Sequence, residues 1–174
     1  MAMASKISNW VLWWVIYSLA GWAYETIVCF IDAGHWANRG FLFGPICPIY
    51  GTAALLTIGI LYKRIKNIAL LFVTGVLLTA GLEYITSLVL EQLFGMRWWD
   101  YSSYRFNVGG RISLVGVVIF GAFTVLLIKF IHPWMEALTK RIGDKIKIIL
   151  ASVLAVAVVV DFCITLIHLH NIHH

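Results

Sequence analysis

Charge is scarce in this chain. Of 174 residues, 12% are Asp, Glu, Lys or Arg and 61% are hydrophobic. A soluble domain carries roughly twice that charge, about 25%. The few charges also cluster between long apolar runs, which excludes a soluble globule and describes an integral membrane protein. The net charge of +5 does not point to nucleic acid, because the basic residues fall in short loops and not along one soluble face. Cysteine is scarce too. Cys29, Cys47 and Cys163 fit no zinc or redox spacing and read as thiols buried in lipid. There is no cleavable signal pattern, because the first apolar run contains Glu25 and outlasts a signal h-region. There is also no G-x-x-x-x-G-K-[ST] loop, so the chain does not hydrolyse ATP by that device. No nucleophile elbow, metal-binding His/Glu pair or His-Asp dyad stands in the outer loops. These absences argue against a catalytic activity but leave an enzyme as the rival reading, and no metal or cofactor is expected.

What is present is a set of five apolar runs, at about 7–31, 46–62, 68–94, 112–131 and 146–167. Each is close to the roughly 20 residues a helix needs to cross the hydrocarbon. None alternates like a barrel strand. The expected fold is all-α: a polytopic membrane bundle of about five transmembrane helices forming one integral membrane domain over 1–174.

Lys6, Lys63, Arg64, Lys66, Lys129, Lys140, Arg141, Lys145 and Lys147 fall on one side of these spans. Arg39, Arg97, Arg105 and Arg111 fall on the other. The richer side is expected to be cytoplasmic, with the N-terminus inside and the C-terminus outside a cell membrane. Pro133 is expected to close the fourth span. After it, Trp134, Leu138, Ile142 and Ile146 recur every four residues. Residues 134–145 thus read either as an amphipathic helix in the interface or as a simple connector.

"AGWAYET" (20–26) and "AGLEYIT" (80–86) are alike, and each span they enter leads into a loop bearing Trp and Arg. The pattern is that of an internal parallel helix–loop–helix repeat.

The informative residues are acids inside apolar runs: Glu25, Glu83 and Asp161. A charge at the bilayer centre costs at least about 2.5–3.5 kcal/mol. Such groups face the bundle interior, pair or are protonated. Ser18, Gly21, Glu25, Cys29 and Asp32 recur at intervals of three or four, as do Glu83, Ser87 and Glu91, and Asp161, Thr165 and His168. Three spans therefore carry polar seams. These seams read either as structural glue or as a path for a solute or ion. Arg39 and Arg111 are the expected partners of Glu25 and Glu83, since a guanidinium fork holds a carboxylate or an anionic solute equally well.

"GPICPIYG" (44–51) holds two of the three prolines. Pro45 and Pro48 disfavour a regular helix. Non-helical backbone at membrane depth persists only where it lines a cavity or is buried in protein. Residues 38–51 therefore read as a re-entrant or broken entry to the second span, with backbone groups exposed beside Glu25 and Glu83. A kinked helix start is the plainer alternative. "RWWDYSSYRFN" (97–107), with Asp100, reads as an aromatic belt or as a lid over an outer mouth. The tail "HLHNIHH" has the residues to take a transition metal but is terminal, and incidental binding is the plainer reading.

At "GWAYE", "NRGFLFGPICPIYG", "LEYITS", "WWDYS" and "FNVGGRISL" the chain resembles the ABC-transporter type IV family of small membrane permeases, over roughly 20–125 plus the "VVDF" acid. It departs at "NVGGR", where a longer residue is expected before the Gly-Arg pair. The resemblance implies a permease subunit served by a separate ATPase, and the small size implies a homodimer. It carries over Glu25, Asn38, Arg39, Gly40, Gly44, Pro45, Pro48, Tyr50, Gly51, Glu83, Tyr84, Trp99, Asp100, Tyr101, Asn107, Gly110 and Arg111. Of these, Glu25, Asn38, Arg39, Tyr50, Glu83, Tyr84, Trp99, Asp100, Asn107 and Arg111, together with Asp161, form the expected substrate- or ion-binding set, framing an outward-opening pocket for a small polar or anionic solute. The alternatives are a membrane-embedded enzyme acting on a lipid headgroup or lipid-linked substrate, and a non-catalytic subunit of a membrane complex.

Overall fold

The long apolar runs fold as helices because backbone N–H and C=O groups in hydrocarbon must be satisfied within the segment itself. The computed structural model describes residues 2–36 and 39–173. Its helices are α1 (Ala2–Ala33), α2 (Pro48–Leu61), α3 (Ile68–Phe94), α4 (Leu114–Leu126), α5 (His132–Lys140) and α6 (Asp144–His173). A single π turn, Leu127–Ile131, joins α4 to α5. Among the described residues, four helical stretches are long and apolar enough to cross a membrane: Met3–Ile31, Ile68–Phe94, Leu114–Lys140 and Asp144–Asn171. The all-α polytopic reading is therefore correct. The second expected span is shorter than the others. α2 has 14 residues, about 21 Å at 1.5 Å per residue.

The helix ends follow local chemistry. Gly34 takes φ 70° and donates its N–H to Phe30 O at 2.9 Å, closing α1. Pro48 opens α2, where a missing N–H costs nothing. The Asn67 side chain accepts Leu70 N–H at 3.0 Å to cap α3. Gly95, at φ 65°, ends it on Glu91 O. Ser113 caps α4 by accepting Gly116 N–H at 3.1 Å.

Pro133 does not end the fourth helix. The wider turn over Leu127–Ile131 precedes it, with His132 N–H donated to Leu127 O, and helical backbone runs on to Lys140. A π turn shifts the carbonyl that the proline ring would otherwise strike, so helical backbone continues past it. In α5 the buried residues are His132, Met135 and Thr139, while Trp134 and Leu138 are exposed.

The chain divides into two compact units. The first comprises residues 1–52 and 135–174. In it α1 packs along α6, and the Ser5 hydroxyl donates to Asp144 Oδ1 at 2.7 Å. Trp13 Nε1 donates to Thr139 Oγ1 at 3.3 Å, and Leu12, Val15, Tyr17 and Ala151 are buried. The second unit, residues 53–134, is centred on the α3–α4 pair. Gly121 lies against Val76 and Phe72, and Gly75 against Thr124. Small residues of this kind let membrane helices approach closely. A two-stranded hairpin, β1 (Asn107–Val108) and β2 (Ile112–Ser113), precedes α4. The two halves of the expected repeat are built differently. α3 returns directly on α4 through a loop with this hairpin, whereas the principal helical neighbour of α1 is α6.

Candidate functional site

In the first unit, residues 39–47 are non-helical and are held by groups on α1 and α6. Phe43 and Gly44 donate successive N–H groups to Asp161, at 3.2 Å to Oδ1 and 2.9 Å to Oδ2. A Cβ at Gly44 would lie 2.8 Å from Asp161 Oδ2, so a side chain there would displace the carboxylate. Cys47 N–H reaches Ser18 O at 3.1 Å, and Ile46 N–H turns back to Gly44 O at 2.7 Å. These backbone donors are thus engaged within the unit and are not presented as free groups. The reason is energetic: an unpaired backbone donor in apolar surroundings costs as much as a lost hydrogen bond or more.

The Cys47 thiol, expected to be lipid-buried, is buried in protein and donates to Glu25 Oε2 at 3.5 Å. Arg39 acts on the same sulfur electrostatically. Its Nε is buried and meets no acceptor among the described residues. Tyr50 fills the space a side chain at Gly21 would take, and its ring meets Tyr24 edge-on at 6.3 Å. Asn38 lies outside the described residues.

In the second unit a polar ladder climbs α3. Glu83, Ser87 and Glu91 recur every four residues, and Glu83 and Ser87 are buried. The loop 95–113 supplies a partner to each rung. Tyr101 OH donates to Glu83 Oε1 at 3.0 Å, and Arg111 Nη1 donates to Ser87 Oγ at 3.0 Å. Arg111 Nη2 also pairs closely with Glu91 Oε2, while Arg97 Nε takes Glu91 Oε1 at 2.8 Å. The Arg111 guanidinium lies 5.9 Å from the Tyr84 ring centroid, at cation–π distance. Trp99 Nε1 donates to Arg111 O at 2.9 Å and fixes the base of that side chain.

The turn that aims Arg111 is specified by three residues. Gly109 and Gly110 take φ 59° and 71°, and Arg111 N–H closes on Val108 O. Positive φ at both central positions is what a type I′ hairpin turn demands. Asn107 Oδ1 accepts Gly110 N–H at 2.9 Å, and its Nδ2 donates to Tyr104 O at 2.7 Å. Asp100 is exposed. It accepts the hydroxyl and the N–H of Ser102 at 2.6 and 2.9 Å. Those two bonds hold its carboxyl below the ordinary aspartate range. The hydrogen bond and charge of Glu91 push the Arg97 guanidinium up from its own ordinary value.

A family model described as "Putative ABC-transporter type IV" matches residues 12–166. The chain belongs to this family. No curated protein and no solved structure matches it. This ABC-transporter type IV protein is therefore a multi-pass, transport-related membrane protein.

In this family member, six of the expected site residues gather around the α3 ladder: Glu83, Tyr84, Trp99, Asp100, Asn107 and Arg111. Arg111 grips Ser87 and Glu91, and Glu83 receives a tyrosine hydroxyl in place of the arginine expected there. Glu25, Arg39, Tyr50 and Asp161 belong to the first unit, where Asp161 clasps backbone. Sequence reasoning missed Glu91, Tyr101 and Cys47 as site members. Glu91 was visible as the third rung of the Glu83–Ser87 stripe. Tyr101 was carried over by the family resemblance but left out of the expected binding set, and nothing in the order of residues marks Cys47 among three cysteines.

Proposed function

We propose that the protein binds and translocates a small polar solute or ion, using the carboxylates and arginines set into its helices and outer loops. One observation carries the reading. Glu83 is 6% exposed, and it sits within a 27-residue helix apolar enough to span a bilayer. A carboxylate so placed is expensive to keep in an apolar span. Functional demand is the ready explanation for keeping it.

Several features support the wider reading. Residues 39–47, non-helical ahead of the short α2, fit a broken or re-entrant entry to the second span. The loop 95–113, latched onto α3 by Tyr101, Arg97 and Arg111, fits a cover over an outward-opening site. Exposed Trp134 and Leu138 on α5 fit contact with the membrane interface. The Lys/Arg asymmetry favours one membrane-embedded domain with its N-terminus in the cytoplasm. A separate ATPase and a second copy of the chain are the proposed partners.

The test is flux through proteoliposomes. Glu83→Gln should insert and fold yet lose at least about tenfold in rate, as expected where a group of this kind contributes 1.4 kcal/mol or more. Full flux in that variant would remove Glu83 from the mechanism.

A further inference from the structure

The two units treat their opposite charges differently. Around α3 the arginines are matched, since Arg97 and Arg111 each hold one oxygen of Glu91. In the first unit they are not. The only bond Glu25 accepts among the described residues comes from the Cys47 thiol at 3.5 Å. A thiol is a weak donor, and a carboxylate has about four acceptor positions. Arg39 makes no ion pair among the described residues, and its Nε is buried without an acceptor. Yet both border Cys47, Glu25 through the thiol and Arg39 through its chain neighbour Gly40. Gly40, next in chain to Arg39, packs on Cys47, with a Cβ there falling 3.5 Å from Cys47 Cα. A third unused group stands on the same helix. Ser18 is 0% exposed, its Oγ has no hydrogen-bond partner among the described residues, and its carbonyl already holds Cys47 N–H.

Burying an uncompensated charge costs far more than burying a paired one. Here a half-buried cation, its Nε fully buried, and a half-buried anion flank one buried thiol without pairing to each other. A simple anion would neutralise Arg39 and strand Glu25, and a simple cation would do the reverse. A ligand bearing both signs satisfies both. We propose that the Glu25–Cys47–Arg39 cluster is a binding site for a small zwitterion, with the ligand carboxylate on the Arg39 guanidinium and its ammonium on Glu25. This rests on the solute-binding reading above and names the class of solute.

The experiment uses the full chain purified in detergent, titrated calorimetrically at constant ionic strength. The probes are glycine, β-alanine and γ-aminobutyrate, three zwitterions of increasing charge separation. Acetate and methylammonium serve as single-charge halves. At least one zwitterion should bind at least about tenfold more tightly than either half. Glu25→Gln and Arg39→Gln should each abolish that preference. As a second readout, Cys47 is the reporter in a Cys29→Ser/Cys163→Ser background. Its reaction with methyl methanethiosulfonate should slow several-fold when the preferred zwitterion is present, which keeps the proposal testable even if a charge variant fails to fold.

Acetate or methylammonium binding as tightly as every zwitterion would overturn the proposal, as would no zwitterion binding together with no protection of Cys47. Zwitterion binding without flux in proteoliposomes would keep this site and remove the transport reading. Flux of another solute or ion without zwitterion binding would remove this site and leave transport standing.

Discussion

Gly44 donates its backbone N–H to Asp161 at 2.9 Å from a position where a side chain would collide with the accepting oxygen. An acid in the middle of a long apolar helix thus serves as the anchor of a non-helical segment, and the segment needs glycine to reach it.

Gly44→Ala should therefore destabilise the fold by about 1–3 kcal/mol, the usual cost of forcing atoms into a filled space. The same change made in an Asp161→Ala background should cost clearly less, because the obstructing oxygen is gone. Thermal unfolding of the four proteins in detergent measures the coupling. Strict additivity would mean that the two residues do not meet.

Arg111→Lys keeps the charge but loses the fork. An ammonium cannot serve Ser87 and Glu91 with the geometry of Nη1 and Nη2. One charge-assisted bond, worth about 1.5–3 kcal/mol, should be lost. The expected signs are a lower unfolding temperature and faster proteolysis within 95–113. Wild-type behaviour would mean that charge alone suffices there.

Asp100 offers a pH signature. Its carboxyl is held low chiefly by the Ser102 hydroxyl and next by the Ser102 N–H. The stabilisation is therefore present above the unfolded aspartate value of about 3.9 and is lost as pH falls through the lower folded value. The Ser102 amide resonance should follow this titration with a midpoint below 3.9. Ser102→Ala should raise the midpoint toward the ordinary value, and an unmoved midpoint would refute the contact.

Gly121→Val should weaken the α3–α4 pair by about 1–3 kcal/mol. A Cβ at Gly121 would fall 2.6 Å from Val76 Cγ2 and 2.8 Å from Phe72 Cε2. Gly81→Ala is the control, because nothing lies within 4 Å of a Cβ there. It should be neutral, or stabilising by up to about 1 kcal/mol. Equal losses in both variants would show that helix propensity, not interhelical contact, governs these glycines.

Much of this was legible from residue order. The long helices announced themselves by length and apolarity, and the Glu83–Ser87–Glu91 stripe by its spacing of four. The Gly109–Gly110 turn and the capping Asn67 and Ser113 are local chemistry too, but they went unread until the structure showed them. Pro133 misled because a proline usually ends a helix, whereas one wide turn before it lets the helix continue. The Arg111 partners were misassigned by one or two helical turns, because sequence places the arginine at the end of a loop but not the path of that loop.

The sequence alone determined that the chain lives in a membrane, that it folds as helices, and that certain acids and arginines must find partners there, since hydrocarbon leaves them no alternative. Only the tertiary structure decided which partners they found: backbone for Asp161, a thiol for Glu25, a tyrosine for Glu83 and a pair of arginines for Glu91. Spacing along one helix sets the face a side chain occupies, but the group opposite arrives from distant chain, and its arrival depends on packing that no local pattern encodes.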